Sequence, residues 1–163
     1  LRDAGHDRVA VVDIDAHHGN GTQAIFYDRL DVLYASLHVD PAAGWFPHYA
    51  GFADETGRGA GLGANLNIPL APGTGDDGWL TAMDRIVETV AHHGATALVV
   101  SLGVDAALAD PESPLQVSHA AYADAGRRLA ALGLPTVAVQ EGGYHLDTLG
   151  ELVVGTLHGL SHR

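Results

Sequence analysis

The sequence predicts an α/β domain built on a mostly parallel sheet with helices on both faces. Two observations predict it: short apolar runs rich in β-branched residues recur along the chain, and stretches with helical patterning alternate with them. A third observation locates the functional edge. Acidic, histidine and glycine residues follow directly after the apolar runs, where ligands bind in open parallel sheets.

The elements follow in order. Val9-Ala10-Val11-Val12 reads as a strand, because a short uninterrupted apolar run fits a parallel strand buried on both faces. Thr22 to Arg29 reads as a helix behind a Gly-Asn-Gly start, and Val32 to Ser36 as the second strand. From Val39 to Gly63 the glycines and prolines, among them Pro41, Gly44, Pro47, Gly51 and Gly57, break every period, so a long loop is expected. Its aromatics Trp45, Phe46, Tyr49 and Phe52 either plug the edge of the core or wall a substrate channel. A further strand is expected at Ala64 to Pro69, where Leu66 and Ile68 alternate with Asn65 and Asn67. The remaining elements are a helix at Asp76 to His93, a strand at Ala97 to Ser101, a helix at Ser118 to Leu132, a strand at Thr136 to Val139 and a helix at Leu146 to His158.

With 163 residues, 47% of them hydrophobic, the chain has the size and apolar content of one domain. Twenty acidic against eight basic residues give a formal charge of −12, which argues against a nucleic-acid surface and favours cationic ligands. Cysteine is absent, so disulfides, thiolate metal sites and a cysteine nucleophile are excluded, and any metal must sit on His, Asp and Glu. No apolar run approaches the ~20 residues of a membrane span, and no membrane partner is expected. The chain opens at Leu1 directly before a strand-like run, which suggests a piece of a longer protein.

After the first strand come Asp13, Asp15, His17 and His18. At strand spacing both carboxylates and one imidazole share a side, with Ile14 and Ala16 opposite. A lone Asp there would most often cap the next helix, but Asp-x-Asp-x-His-His-Gly-Asn-Gly has the chemistry of a metal-ligand block. Catalytic zinc takes three nitrogen or oxygen ligands and keeps one position open, and Asp15 and His17 supply two. Asp105, after the third strand, is the candidate third; read alone, such a residue is more often a turn former. After the fourth strand, Gly142 and Gly143 allow a sharp turn and close approach, so that Tyr144 either presents its phenol to the site or packs over the sheet edge. A phenol with a pKa of ~10 is a proton donor at neutral pH, and aimed at a carbonyl it would stabilise an oxyanion.

Asp13-Ile14-Asp15-Ala16-His17-His18-Gly19-Asn20-Gly21-Thr22, Ser36-Leu37-His38, Ser101-Leu102-Gly103-Val104-Asp105, Asp110-Pro111 and Glu141-Gly142-Gly143-Tyr144 resemble, in order, the motifs of the zinc-dependent deacetylases. That family comprises histone deacetylases and bacterial acetylpolyamine amidohydrolases on an arginase-like fold. The resemblance implies a three-layer αβα deacetylase catalytic domain over residues 1–163, incomplete at its N-terminus. It implies Asp15, His17 and Asp105 as zinc ligands and Tyr144 as the residue that polarises the substrate carbonyl. Asp13, His18, Asn20, Gly142 and Gly143 would support them. A structural potassium ion is implied on Ser36, Leu37 and the backbones of Asp13, Asp15 and His17, and a second near Phe26, Arg29 and Val32. The implied reaction is hydrolysis of an acetylated small amine or an acetyl-lysine peptide.

Asn20, the run Phe46 to Glu55 and Gln140-Glu141-Gly142-Gly143-Tyr144 are most similar to the acetylpolyamine branch, with Phe46 in the channel. The resemblance places Glu112 where a polyamine-selective relative carries a gatekeeping glutamate; read alone, it is a solvated loop charge. The family's general base belongs to a pair of adjacent histidines upstream of the first metal block, where this chain has only Leu1 to Val12. His92-His93 falls on a helix expected at the surface. The chain by itself is therefore expected to be poorly active. Two further readings stay open: a module that binds metal or acetylated ligand without turnover, and a di-manganese ureohydrolase. The resemblance also suggests a cytoplasmic protein and allows a homodimer.

Overall fold

Five strands, β1 (Val9–Asp13), β2 (Val32–Val39), β3 (Asn65–Leu70), β4 (Ala97–Leu102) and β5 (Thr136–Gln140), pair in parallel in the spatial order β3-β2-β1-β4-β5. They belong to a computed structural model that describes residues 1–161. The helices are α1 (Asn20–Phe26), α2 (Asp76–His93), α3 (His119–Ala130) and α4 (Leu146–Ser161), with single 3₁₀ turns at Arg2–Ala4, Pro41–Ala43 and Gly59–Gly61. From β1 the chain builds outward to β2 and β3, then returns to the other side of β1 for β4 and β5. The strand order therefore reverses at the seam between β1 and β4, the position where open sheets bind ligands.

Strand register divides the side chains between two faces. Ala10, Val12 and Ile14 of the first strand and its extension share one face with Leu33, Ala35 and Leu37, and with Leu98, Val100 and Leu102. Trp79, Met83 and Ile86 of α2 and Tyr122, Ala125 and Leu129 of α3 cover this face and complete the core. Helix α2 has Asp76 and Asp77 in its first turn, His92 and His93 in its last, and a left-handed Gly94 after it, so its charges and its stop agree with the helix dipole. Helix α4 lies close against α3: a Cβ on Gly126 would run into the Thr156 carbonyl, and one on Gly159 into the Ala123 carbonyl.

The opposite face departs from expectation. Over β2 and β3 it is covered by α1 and the long loop, through Gln23 hydrogen bonds to Asn65 and Asn67. Over β5 it is open, and Val137 and Val139 are 47% and 45% exposed, so this strand is not buried as its apolar run suggests. The other end strand, β3, is partly buried because α1 and the long loop lie over it, and among the described residues no such cover reaches β5. The helix expected from Thr22 to Arg29 instead begins at Asn20 and ends at Phe26. The strand expected around Ala64 to Pro69 forms as Asn65–Leu70. His92 is exposed and His93 half-buried. No helix among the described residues is long and apolar enough to cross a membrane.

Candidate metal centre

Asp15 and His17 lie in the turn after β1, and Asp105 in the loop after β4, so the reversal of strand order brings the three together. One ligand atom from each falls within 4.8 Å of the others. His17 Nδ1 is 2.9 Å from Asp105 Oδ2 and 3.3 Å from Asp15 Oδ1. The side chain of Asp105 is fully buried, while that of His17 retains 21% exposure on the open side.

The backbone of the turn dictates this geometry. Ile14 and Ala16 are buried anchors, and their neighbours point the other way. The Ala16 N–H donates to Asp105 Oδ1 at 2.7 Å, the His17 N–H to Asp15 Oδ1 at 2.8 Å, and the Gly142 N–H to Asp15 Oδ2 at 2.8 Å. The Gly142 carbonyl in turn accepts from Val104 N–H. A Cβ on Gly142 would sit 2.6 Å from Asp15 Oδ2 and closer still to Asp105, so this glycine is required by close approach.

The three groups perturb one another. Hydrogen bonds to Asp105 and Asp15, opposed by burial, push the His17 imidazole up to about 10. Burial pushes the Asp105 carboxyl upward. Burial also pushes on Asp15, but hydrogen bonds from the His17 side chain and backbone and from Gly142 outweigh it and hold that carboxyl below the usual range. A proton on His17 thus stands between two carboxylates in the position where a cation could replace it.

Asp13 sits one layer below, 2% exposed, with Tyr34 donating to Oδ2 at 2.9 Å and the Asp15 N–H to Oδ1 at 3.2 Å. Burial first, then the Asp15 charge, push its carboxyl up to about 8. Asp13 pairs in register with Ser36. The His38 Nε2 donates to the Gly51 carbonyl, which leaves Nδ1 to accept from Ser36 Oγ at 2.8 Å. Burial and the neighbouring His18 hold His38 down at about 4, hence neutral. Leu37 is buried with its side chain in the core, so only its backbone is available to a cation.

His18 is buried behind His17, its Nε2 on Gln23 Oε1 and its ring against those of His38 and Tyr34. Gln23 Oε1 also accepts from Asn65 and Asn67, and Glu55 Oε2 accepts from Gln23, from the Gly51 N–H and from Asn67. This network fastens the long loop to the sheet. Only the alternating Asn65 and Asn67 hinted at it in the sequence, because its other members come from separate elements.

A cleft of about 610 Å³ opens over the triad, and Asp15, His17, Phe46, Glu112, Glu141 and Tyr144 are among its walls. The Phe46 ring stands 6.5 Å from the His17 ring. Burial and the Asp105 and Asp15 charges raise the Tyr144 phenol, so it keeps its proton at neutral pH. Phe46, Glu112 and Tyr144 therefore share the cleft with Asp15 and His17. Asn20 does not: its amide donates to the exposed Tyr49 hydroxyl on the outer surface. Phe26 and Arg29 lie at the end of α1 and just beyond it, Val32 at the start of β2, where Arg29 N–H donates to the Phe26 carbonyl.

The model of the histone deacetylase domain family matches residues 1–160. Acetylpolyamine amidohydrolase 1 of Pseudomonas aeruginosa is 48% identical over 157 residues, which cover 96% of this chain and 45% of that protein. Acetylpolyamine amidohydrolase of Mycoplana ramosa is 46% identical over 161 residues, covering 99% of this chain and 47% of its own length. The chain thus spans less than half the length of these relatives. Among solved structures, an acetylpolyamine aminohydrolase from Burkholderia pseudomallei superposes with a TM-score of 0.93 at 43% identity, covering 96% of this chain and 46% of that one. A histone deacetylase homologue from Aquifex aeolicus gives 0.89 at 36% identity, covering 98% and 44%.

Proposed function

The chain belongs to the histone deacetylase domain family, and on that premise we propose that the complete protein is a zinc-dependent amide hydrolase that removes acetyl groups from acetylated amines. The observation that carries the proposal is the Asp15, His17, Asp105 cluster at the floor of a cleft whose wall includes Tyr144.

The donor set fits zinc. It offers one imidazole nitrogen and two carboxylate oxygens, with the remaining side open to the cleft, as in catalytic rather than structural sites. When bound, zinc supplies Lewis-acid polarisation of an amide carbonyl and an acidified water. Asp15, His17 and Asp105 hold it. Tyr144, protonated at working pH, donates a hydrogen bond to the substrate oxygen as negative charge develops there. Phe46 flanks the acetyl-bearing arm of the substrate, and Glu112 at the rim faces a second, cationic amine. With the −12 charge, that carboxylate favours an acetylpolyamine over an acetyl-lysine peptide. Asp13 and Ser36, buried at one register, would share a potassium ion with the Leu37 backbone and those of Asp15 and His17.

Among the described residues, the histidines that line the cleft and the smaller cavity behind it are His17, which belongs to the triad, and His18, whose Nε2 is engaged by Gln23. The base that accepts the proton from water is assigned to a part of the protein outside this chain.

The test is acetate release by the complete gene product, metal-free and zinc-loaded, from an acetylated polyamine and an acetyl-lysine peptide. Turnover only with zinc, faster on the polyamine, is expected. One zinc bound without turnover on either substrate would mark a binding module. A requirement for two manganese ions per chain would mark a ureohydrolase.

A further inference from the structure

Asp110 lies outside the triad, only 7% exposed, in the loop after β4. Its carboxylate accepts three backbone N–H groups from two separate loops. Oδ1 takes Glu112 N–H at 3.0 Å, and Oδ2 takes Tyr144 N–H at 2.8 Å and His145 N–H at 3.1 Å. No basic side chain pairs with it among the described ion pairs. Its carboxylate is instead met by these N–H groups, of which those of Tyr144 and His145 lie just before the N-terminus, the positive end, of the 16-residue helix α4. Hydrogen bonds to an ionised acceptor are roughly twice as strong as neutral ones.

We infer that Asp110 is a positioning residue that holds Tyr144 and Glu112 in one frame around the cleft. The segment carrying Tyr144 is fixed at two points, by Asp15 at the Gly142 N–H and by Asp110 at Tyr144 and His145. Between them stands Gly143 at φ 153°, with no side chain to restrict its rotation. Loss of the Asp110 anchor therefore frees the phenol while leaving the triad side of the turn in place. Glu112 is tied in the same way, and its carbonyl also accepts from Trp45 Nε1 at 3.0 Å. Trp45 precedes Phe46, so three walls of the cleft refer back to one carboxylate. An asparagine cannot do this, because one of its two polar atoms is a donor and would face an N–H.

The effect on N–H protection needs only the hydrogen bonds, whereas the effect on turnover also rests on the deacetylase reading. The experiment takes the complete gene product as wild type, D110N, D110A and E112A, and measures amide hydrogen exchange, zinc content and kinetics. Exchange at Glu112, Tyr144 and His145 should accelerate at least tenfold in D110A, with α2 unaffected; unchanged exchange would overturn the inference. In D110A kcat should fall about 100-fold with zinc retained, as expected for a misplaced group. The preference for an acetylated diamine over a neutral acetyl amide should shrink towards that of E112A, with D110N intermediate. If D110A does not fold, D110N serves for both readouts. Activity that tracks the folded fraction alone, with kcat and preference per folded molecule unchanged, would make Asp110 merely structural and overturn the proposal. If the wild type releases no acetate while the exchange pattern holds, the deacetylase reading fails and the anchoring role stands.

Discussion

His17 Nδ1 lies 2.9 Å from Asp105 Oδ2, although the two residues are 88 positions apart in the chain. The contact crosses the seam where strand order reverses. The Asp105 side chain is fully buried, whereas that of His17 keeps 21% exposure.

Replacing Asp105 with alanine removes one of the three proposed ligands and the acceptor of the Ala16 N–H. Loss of a supporting group beyond the ligands typically weakens metal affinity about 10- to 100-fold, and loss of a ligand should exceed that. Equilibrium dialysis against zinc checks it; an affinity within threefold of wild type would remove Asp105 from the site.

Tyr144→Phe deletes a hydroxyl and little else, because the side chain is half exposed and its backbone is held by Asp110. Removing one oxyanion donor lowers kcat by about 100- to 1000-fold. Zinc content and KM should stay close to wild type. Steady-state kinetics on an acetylated polyamine give the answer, and a loss carried by KM instead would recast Tyr144 as a binding group.

On the proposed reading, zinc would displace the proton that Asp105 and Asp15 hold on His17. With that imidazole at about 10 in the metal-free protein, uptake at pH 8 should release close to one proton. Apparent affinity then rises by about tenfold per pH unit between pH 7 and 9. Titration calorimetry in buffers of different ionisation enthalpy counts the proton directly. Uptake with none released would contradict the hydrogen-bonded imidazolium.

Asp13 ties stability to pH in the metal-free protein. Its folded pKa of about 8 exceeds the ordinary 3.8, so its contribution is fully present below 3.8 and is lost as pH rises through 8. The slope approaches about 1.4 kcal/mol per pH unit within that window. His17 acts in the same direction over a higher window, from 6.5 to about 10. Urea denaturation of the chelated protein between pH 5 and 8 should show this decline, and Asp13→Asn should flatten it.

The sequence exposed what is local. Helix α2 runs from Asp76 to His93 as its pattern predicts, and the strand ends carry the residues that converge on the cleft. Asp105 was legible mainly through its place in a motif, since an Asp after a strand is otherwise a turn former. The tertiary relationships were not legible. Glu55, Gln23 and the Gly51 backbone meet through separate elements with no shared period. Asp110 falls in the Asp110-Pro111 motif, yet two of its three N–H partners, Tyr144 and His145, come from a distant loop whose position only packing decides. The exposure of β5 escaped for a similar reason: an apolar run records that a strand forms, not how many neighbours it has.

The outer rim of β5 governs how the isolated chain behaves in a tube. A sheet ending in an apolar strand is a template for another copy, and at low ionic strength the net charge of −12 keeps copies apart. Added salt screens that repulsion over about 10 Å at 0.1 M while leaving the valines as sticky as before. Clear, dilute preparations will therefore turn cloudy on salting.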